Sequence, residues 1–342
     1  MPNIEFNAVE NAKAKWTFVI SLILTVLLGV GVVLLSEAAI FFLPFLIGLL
    51  ALVFTLDRSG KRWLSLLLSF ALILADLIFN PSGAVWGASA VILAAILTVW
   101  FLKNKGKAFF VGISTVILSS LMLLSVYLSA FSVVGFDVEA ANNLLKTELN
   151  ILRDVLVETV TSVLSVASEN EQIASILSGG LVEETVELYM SMIPSFIVIT
   201  ALAVTAIANV VFMLAVGIVD KGRVRGADIF CTSSLFAVFF AVLSIFNLFE
   251  NDGSTFCIAL TNLYNVFLVV YAYVGFRFVA YFLGKKTHST VLGVLIVLTA
   301  SVLFGGFVIN LLSVVGVFET FAVSRMISGN DINKREGGNG LE

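Results

Sequence analysis

Cysteine and histidine are nearly absent from this chain of 342 residues: Cys231, Cys257 and His288 are the whole supply. A structural zinc site wants four Cys or His ligands, so three scattered candidates exclude one built from this chain alone. The same scarcity argues against a haem centre or a Ser-His-Asp hydrolase, and two cysteines do not report a redox compartment. Charge is scarce as well, at 12% of residues, against roughly a quarter in soluble domains. Proline occurs four times. No phosphate-binding glycine loop, zinc-protease helix or pair of intramembrane aspartates appears, and "GVGVV" at Gly29 lies inside an apolar run rather than after a strand. No basic cluster interleaved with aromatics invites nucleic acid, and the net charge of −4 gives no reason to expect it. No cofactor and no enzymatic activity are expected, since no nucleophile-base pair is visible.

What is abundant is apolar surface. Hydrophobic residues make up 60% of the chain, phenylalanine alone contributes 30, and mean hydropathy is +1.09. A transmembrane helix needs about 20 mostly apolar residues, with about 17 as a lower limit. That rule places spans at residues 16–35, 38–56, 63–79, 85–102 and 109–131, then at 193–219, 229–249, 257–282 and 289–312. The expected fold is all-α: a polytopic transmembrane helix bundle of about nine spans, with eight to ten allowed by the ambiguous end. The last apolar run continues to Val323 past Gly305-Gly306. It reads as one span with an interfacial tail or as two short helices bent at the glycines, the first being the preferred reading. Ser36-Glu37-Ala38 has the small-x-small look of a cleavage site. The apolar core before it is too long for the usual signal-peptide segment, so it is read as a span.

Loop charge sets the expected orientation. Lys13 and Lys15 precede the first span; Arg58, Lys61 and Arg62, then Lys103, Lys105 and Lys107, then Lys221, Arg223 and Arg225, then Lys285 and Lys286 fill every second loop. The intervening turns carry no Lys or Arg. Because basic residues accumulate in cytoplasmic loops, residues 1–15 are placed in the cytoplasm of a cell-membrane protein. The bundles are residues 16–131, with five spans, and 193–323, with four or more. Residues 324–342 are polar, end in "GGNGLE" and read as a disordered tail whose side of the membrane stays open.

Residues 132–192 then fall outside the cell. They hold ten carboxylates against Lys146 and Arg153. Leu145, Leu149, Leu152 and Leu156, then Val163 and Val166, recur at steps of three and four, which makes a helix with one apolar stripe. Ser168 and Glu171 have capping-box spacing, Gly179-Gly180 suits a helix end, and Pro194 suits the first turn of the sixth span. The insert reads as an exposed helical cap whose stripe packs on the spans or on a partner, or as a lid over a pocket. A membrane-binding helix of the antimicrobial type is disfavoured by its acidic faces.

Ionisable and amide groups within spans are candidates for function. Asp76, Asn80, Trp86, Asn247, Asn262, Tyr264 and Asn265 lie near one outer level, where they form a solute pocket or ordinary interhelical hydrogen bonds. Asn209 sits in mid-span, and Arg277 lies near the inner end of the eighth span. Ser21, Thr25 and Gly29 repeat every fourth residue, a small-residue seam for close helix approach, either internal or toward a partner subunit.

The order of these features resembles the YybS family of uncharacterised bacterial multi-pass membrane proteins. The likeness is carried by "FFLPFLIGLLALVFTLDRSGKRWLSLLLSF", the acidic insert, Pro194, "TNLYNVFLVVYAYVGFRFVAYFL" and the closing "LLSVVGVFETFAVSR" with Gly316, Glu319 and Arg325. The family more often has Asp where Glu319 stands and rarely an Arg like Arg277. The family is distantly similar to the substrate-binding S subunits of energy-coupling-factor transporters. The resemblance implies a small solute bound near the outer face and a first-helix seam meeting transporter subunits. The expected function is therefore solute binding or uptake as the membrane subunit of a transporter. The alternative is a structural or regulatory envelope protein whose insert binds a protein partner. In either case the lipid bilayer is the medium.

Overall fold

The computed structural model describes residues 8–35, 38–57, 63–79, 85–102, 107–165, 180–219, 234–249 and 254–336. They form eleven helices and no strand. These are α1 (Ala8–Leu34), α2 (Ala39–Asp57), α3 (Trp63–Phe79), α4 (Val85–Leu102), α5 (Lys107–Val134), α6 (Val138–Ser165), α7 (Leu181–Ser191), α8 (Ile193–Val219), α9 (Ser234–Phe249), α10 (Thr255–Thr287) and α11 (Thr290–Glu336). Seven are long and apolar enough to cross a membrane, and the apolar α3 and α9 are shorter. An all-helical solution follows from the solvent, since every backbone N–H and C=O in lipid must be satisfied within its own segment. Of the basic residues that set the expected orientation, Arg58, Lys61, Arg62, Lys103, Lys105, Lys221, Arg223 and Arg225 lie outside the described residues.

The chain divides into two units, Met1–Ile229 and Phe230–Glu342. In the first, α2 is the central post: Leu43, Leu46, Ile47, Leu50, Ala51 and Val53 are buried, and α1, α3, α4 and α8 all pack on it. Gly48 allows the closest approach, because a Cβ there would meet the Ala208 carbonyl at 2.9 Å and Val211 Cγ1 at 2.8 Å. Hydroxyls join the helices elsewhere. Thr98 Oγ1 donates to the Ala51 carbonyl at 3.1 Å, and the Thr115 and Thr205 hydroxyls meet at 3.1 Å between α5 and α8. The sixth span, α8, therefore packs with the N-terminal bundle. A boundary at residue 193 puts it in the other half, and it is this packing that moves it.

The second unit is built on α10 and α11. Phe240 of α9 stacks on Tyr264 and Tyr271 of α10, with ring centroids 5.6 and 4.9 Å away. Gly275 and Gly316 bring the backbones of α10 and α11 together, and Gly293 packs against Ala280 and Gly284. From Gly293 to Leu312 α11 advances nineteen positions, while the matching stretch of α10 is less than half as long. A kink absorbs the excess: Gly305 has φ 48° and ψ −126°, a conformation open essentially to glycine alone. The last apolar run is thus two helical pieces meeting at Gly305, not one straight span with a tail. The second piece continues through residues 324–336, where the composition suggested disorder, and no Gly pair or Pro interrupts it before Gly337-Gly338.

Between α5 and α8 lies the polar insert. Gly135 (φ 79°) turns the chain after α5, and Asp137 Oδ1 caps α6 by accepting from the Glu139 and Ala140 N–H groups at 2.9 and 3.1 Å. Gly180 (φ 70°) precedes α7, which runs through Met192 almost directly into α8. The Ser168–Glu171 pattern, Val166 and Gly179 lie outside the described residues.

Candidate functional site

The polar residues expected to line one solute pocket are divided between the two units. In the first unit, Asp76 is fully buried on α3, and its Oδ2 accepts the Gly87 N–H at 2.7 Å. That N–H belongs to the first turn of α4, where backbone donors have no partner within their own helix. Asp76 thus caps a neighbouring helix, and Gly87 has no side chain because the carboxyl fills that space at 3.1 Å. Its other oxygen, Oδ1, is buried without a partner among the described residues. Trp86 beside it is half-buried, and Asn80 lies outside the described residues.

In the second unit the amides tie helices together. Asn247 Oδ1 accepts from the Thr261 hydroxyl at 3.1 Å, joining α9 to α10. Tyr264 donates to Asn310 Oδ1 at 3.4 Å, joining α10 to α11. Asn262 Nδ2 donates to the Ile258 carbonyl of its own helix at 2.9 Å, and Asn265 is half-buried. Arg277 is exposed, and Glu319 is half-buried one turn from Gly316. The Arg325 side chain lies outside the described residues.

The small-residue seam of α1 is buried within the first unit: Ser21 and Thr25 are enclosed, and a Cβ on Gly29 would meet Leu72 Cδ2 of α3 at 2.3 Å. Thr25 spends its hydroxyl on the Ser21 carbonyl at 2.6 Å. The facing side of α3 is polar too. Its buried residues are Ser65, Ser69, Leu72 and Asp76, and Asp57 at the end of α2 accepts from the Ser65 hydroxyl at 2.6 Å and its N–H at 3.2 Å. Deeper in the unit, Ser114 Oγ and Asn209 Oδ1 are buried without partners among the described residues.

The described cavity belongs to the insert. It is a cleft of about 590 Å³ between α6 and α7, lined by Asp154, Glu158, Glu183 and Glu187 with Arg153 and Thr161 among them. Arg153 pairs with Asp154 at 3.0 Å and reaches Glu187 across the cleft at 3.7 Å. Exposed pairs of this kind contribute about 0–1 kcal/mol. They leave an uncompensated charge of −3 on the lining, from four carboxylates and one guanidinium. Among the described residues no three Asp, Glu, His or Cys are placed to hold a metal ion, and Cys257 is buried. Sequence reasoning counted these acids but did not bring Glu183 and Glu187 opposite Asp154 and Glu158. The available signal was their spacing of four on a short helix that must return antiparallel to α6.

Seven full-length apolar helices, with an amphipathic pair breaking their series, define a multi-pass integral membrane protein. Compared with protein-family models, curated proteins and solved structures, the chain matches none of them.

Proposed function

We propose that this protein is a non-enzymatic cell-membrane protein of the YybS type whose insert, on the extracytoplasmic side, binds a basic segment of an envelope protein. The acidic α6–α7 cleft carries this reading. An open groove with an excess of three negative charges draws cations and holds them in a salt-dependent way. The polar groups of the spans support it indirectly, because Asp76, Asn247 and Tyr264 are engaged in joining helices. A photo-crosslinking residue at Thr161 tests it in intact cells. The expected result is one protein adduct, weakened by added salt and lost when Glu158→Gln and Glu183→Gln are combined. An adduct indifferent to both changes, or no adduct, overturns the reading.

A second reading, solute binding as the membrane subunit of a transporter, is favoured by the unpartnered Asp76 Oδ1 together with Ser114 Oγ and Asn209 Oδ1 in the same unit. Buried acceptors without partners are costly and are often kept for a ligand. Native mass spectrometry of the purified protein decides it: neither a co-bound small molecule nor co-eluting ATPase subunits would count against uptake.

A further inference from the structure

The face of α6 that turns away from the cleft has a different character. On a helix of 3.6 residues per turn, Ala141, Leu145, Leu149, Leu152, Leu156 and Val163 fall within an arc of about 80°. No charged residue shares that arc, and the carboxylates and Arg153 project elsewhere around the helix. Where the arc begins, it meets a membrane span. Ala141 is fully buried, and the neighbouring Asn142 accepts a hydrogen bond from the Tyr127 hydroxyl of α5 at 3.1 Å. Farther along it is uncovered: Leu149, Leu152 and Val163 are 43%, 46% and 66% exposed.

The depth of this contact follows from α5. Its apolar segment, Val111–Val134, has 24 residues. That is about 36 Å of helix against a hydrocarbon core of about 30 Å, so its last turns reach the headgroup layer. Tyr127, about 10 Å short of that end, lies roughly 4 Å or more inside the hydrocarbon edge, just below the level where tyrosines of membrane proteins collect. A bond from Tyr127 to the second turn of α6 requires α6 to fold back beside these turns rather than continue outward. Phe136, in the connecting turn beyond the end of that segment, is a large apolar ring 94% exposed.

We propose that α6 lies on the lipid bilayer, with its Leu149–Leu152–Leu156 stripe seated at the boundary of headgroups and acyl chains. An interfacial helix of this kind gains its binding from buried apolar area; Glu139, Asp154 and Glu158 point away from the stripe, and Glu148 flanks it about 20° outside the arc. The consequence for the insert is orientation. The bilayer holds one face of α6, and the α6–α7 cleft is presented on the opposite face. The inference concerns a separate surface and does not depend on what the cleft binds.

Nitroxide labels read the difference in the full-length chain, with both native cysteines replaced by alanine, reconstituted in phosphatidylcholine–phosphatidylglycerol liposomes. Single cysteines are introduced as Leu152→Cys, Val163→Cys and Glu158→Cys. All three positions are exposed, so little packing is lost, and Val163→Cys serves if Leu152→Cys folds poorly. Labels at 152 and 163 should collide with oxygen severalfold more often, relative to a water-soluble nickel chelate, than the label at 158. Equal ratios at all three positions would place the stripe in water and overturn the proposal. Protection of 152 and 163 from both reagents would show a protein covering, such as a second copy of the chain, and would overturn it equally. The cleft reading would survive either failure, because its crosslink reports from another face.

Discussion

The contact between Gly275 and Gly316 offers a demanding test, because there the obstacle to a side chain is backbone. A Cβ on Gly275 would stand 1.9 Å from the Leu312 carbonyl oxygen, and one on Gly316 would stand 2.0 Å from that of Tyr271. Ordinary contact begins near 3.4 Å, so Gly275→Ala or Gly316→Ala forces α10 and α11 apart by about 1.4 Å. Overpacking usually costs about 1–3 kcal/mol, and these variants should fall at the upper end because neither carbonyl can rotate away. In lipid the loss is not offset by a hydrophobic drive between helices, since their association rests on close packing and hydrogen bonds. Unfolding by SDS titration in mixed micelles measures the change. Gly112→Ala is the control, with nothing within 4 Å of its Cβ, and should be neutral or stabilise by up to about 1 kcal/mol. The double variant should cost less than the sum of its parts, because the two glycines touch the same contact. Gly275→Ala and Gly316→Ala behaving like Gly112→Ala would refute the described packing.

Three other expectations follow, two from single contacts and one from a backbone conformation. Asp76→Ala leaves the Gly87 N–H buried without an acceptor and should cost about 1–3 kcal/mol, whereas Asp76→Asn keeps an oxygen in place and should cost less; equal thermal stability of the two in detergent would deny the cap. Asp57→Ala removes the acceptor for both the N–H and the hydroxyl of Ser65 and should cost about 1 kcal/mol by the same titration, while Ser65→Ala should cost less because the backbone bond survives. Gly305→Ala should destabilise by about 1–3 kcal/mol although no atom lies within 4 Å of its Cβ, because the cost is conformational; a neutral result would mean that the kink relaxes.

Much of the fold can be read from hydropathy, and the reason is the solvent. Spans expected at residues 63–79, 85–102 and 193–219 coincide with α3, α4 and α8, because lipid permits only helices and sets their length. The amphipathic helix of the insert was legible for a related reason: Leu145, Leu149, Leu152 and Leu156 are spaced for one face, and α6 presents them so. Hydropathy fails at the choice of neighbours, since all faces of these spans are comparably apolar. That α8 joins α2 depends on the missing side chain of Gly48 meeting Ala208 and Val211, a match between residues 160 positions apart. In the last apolar run the sequence offers Gly305 and Gly306 equally, and only the folded backbone assigns the bend to the first.

Polar residues are ambiguous for a deeper reason. In lipid any buried polar group must find a partner, so a residue that joins two helices and one that awaits a ligand have the same sequence signature. Asp76 shows both behaviours in one side chain: Oδ2 is spent on Gly87, and Oδ1 is left over. Asn247 and Tyr264 show only the first, each bound to a residue on the next helix. The distinguishing observable is therefore the atom rather than the residue. By that measure the spans retain few groups for a ligand, while the α6–α7 cleft keeps four carboxylates for one guanidinium. This asymmetry, more than any motif, moves the weight of the functional reading from the membrane bundle to the insert.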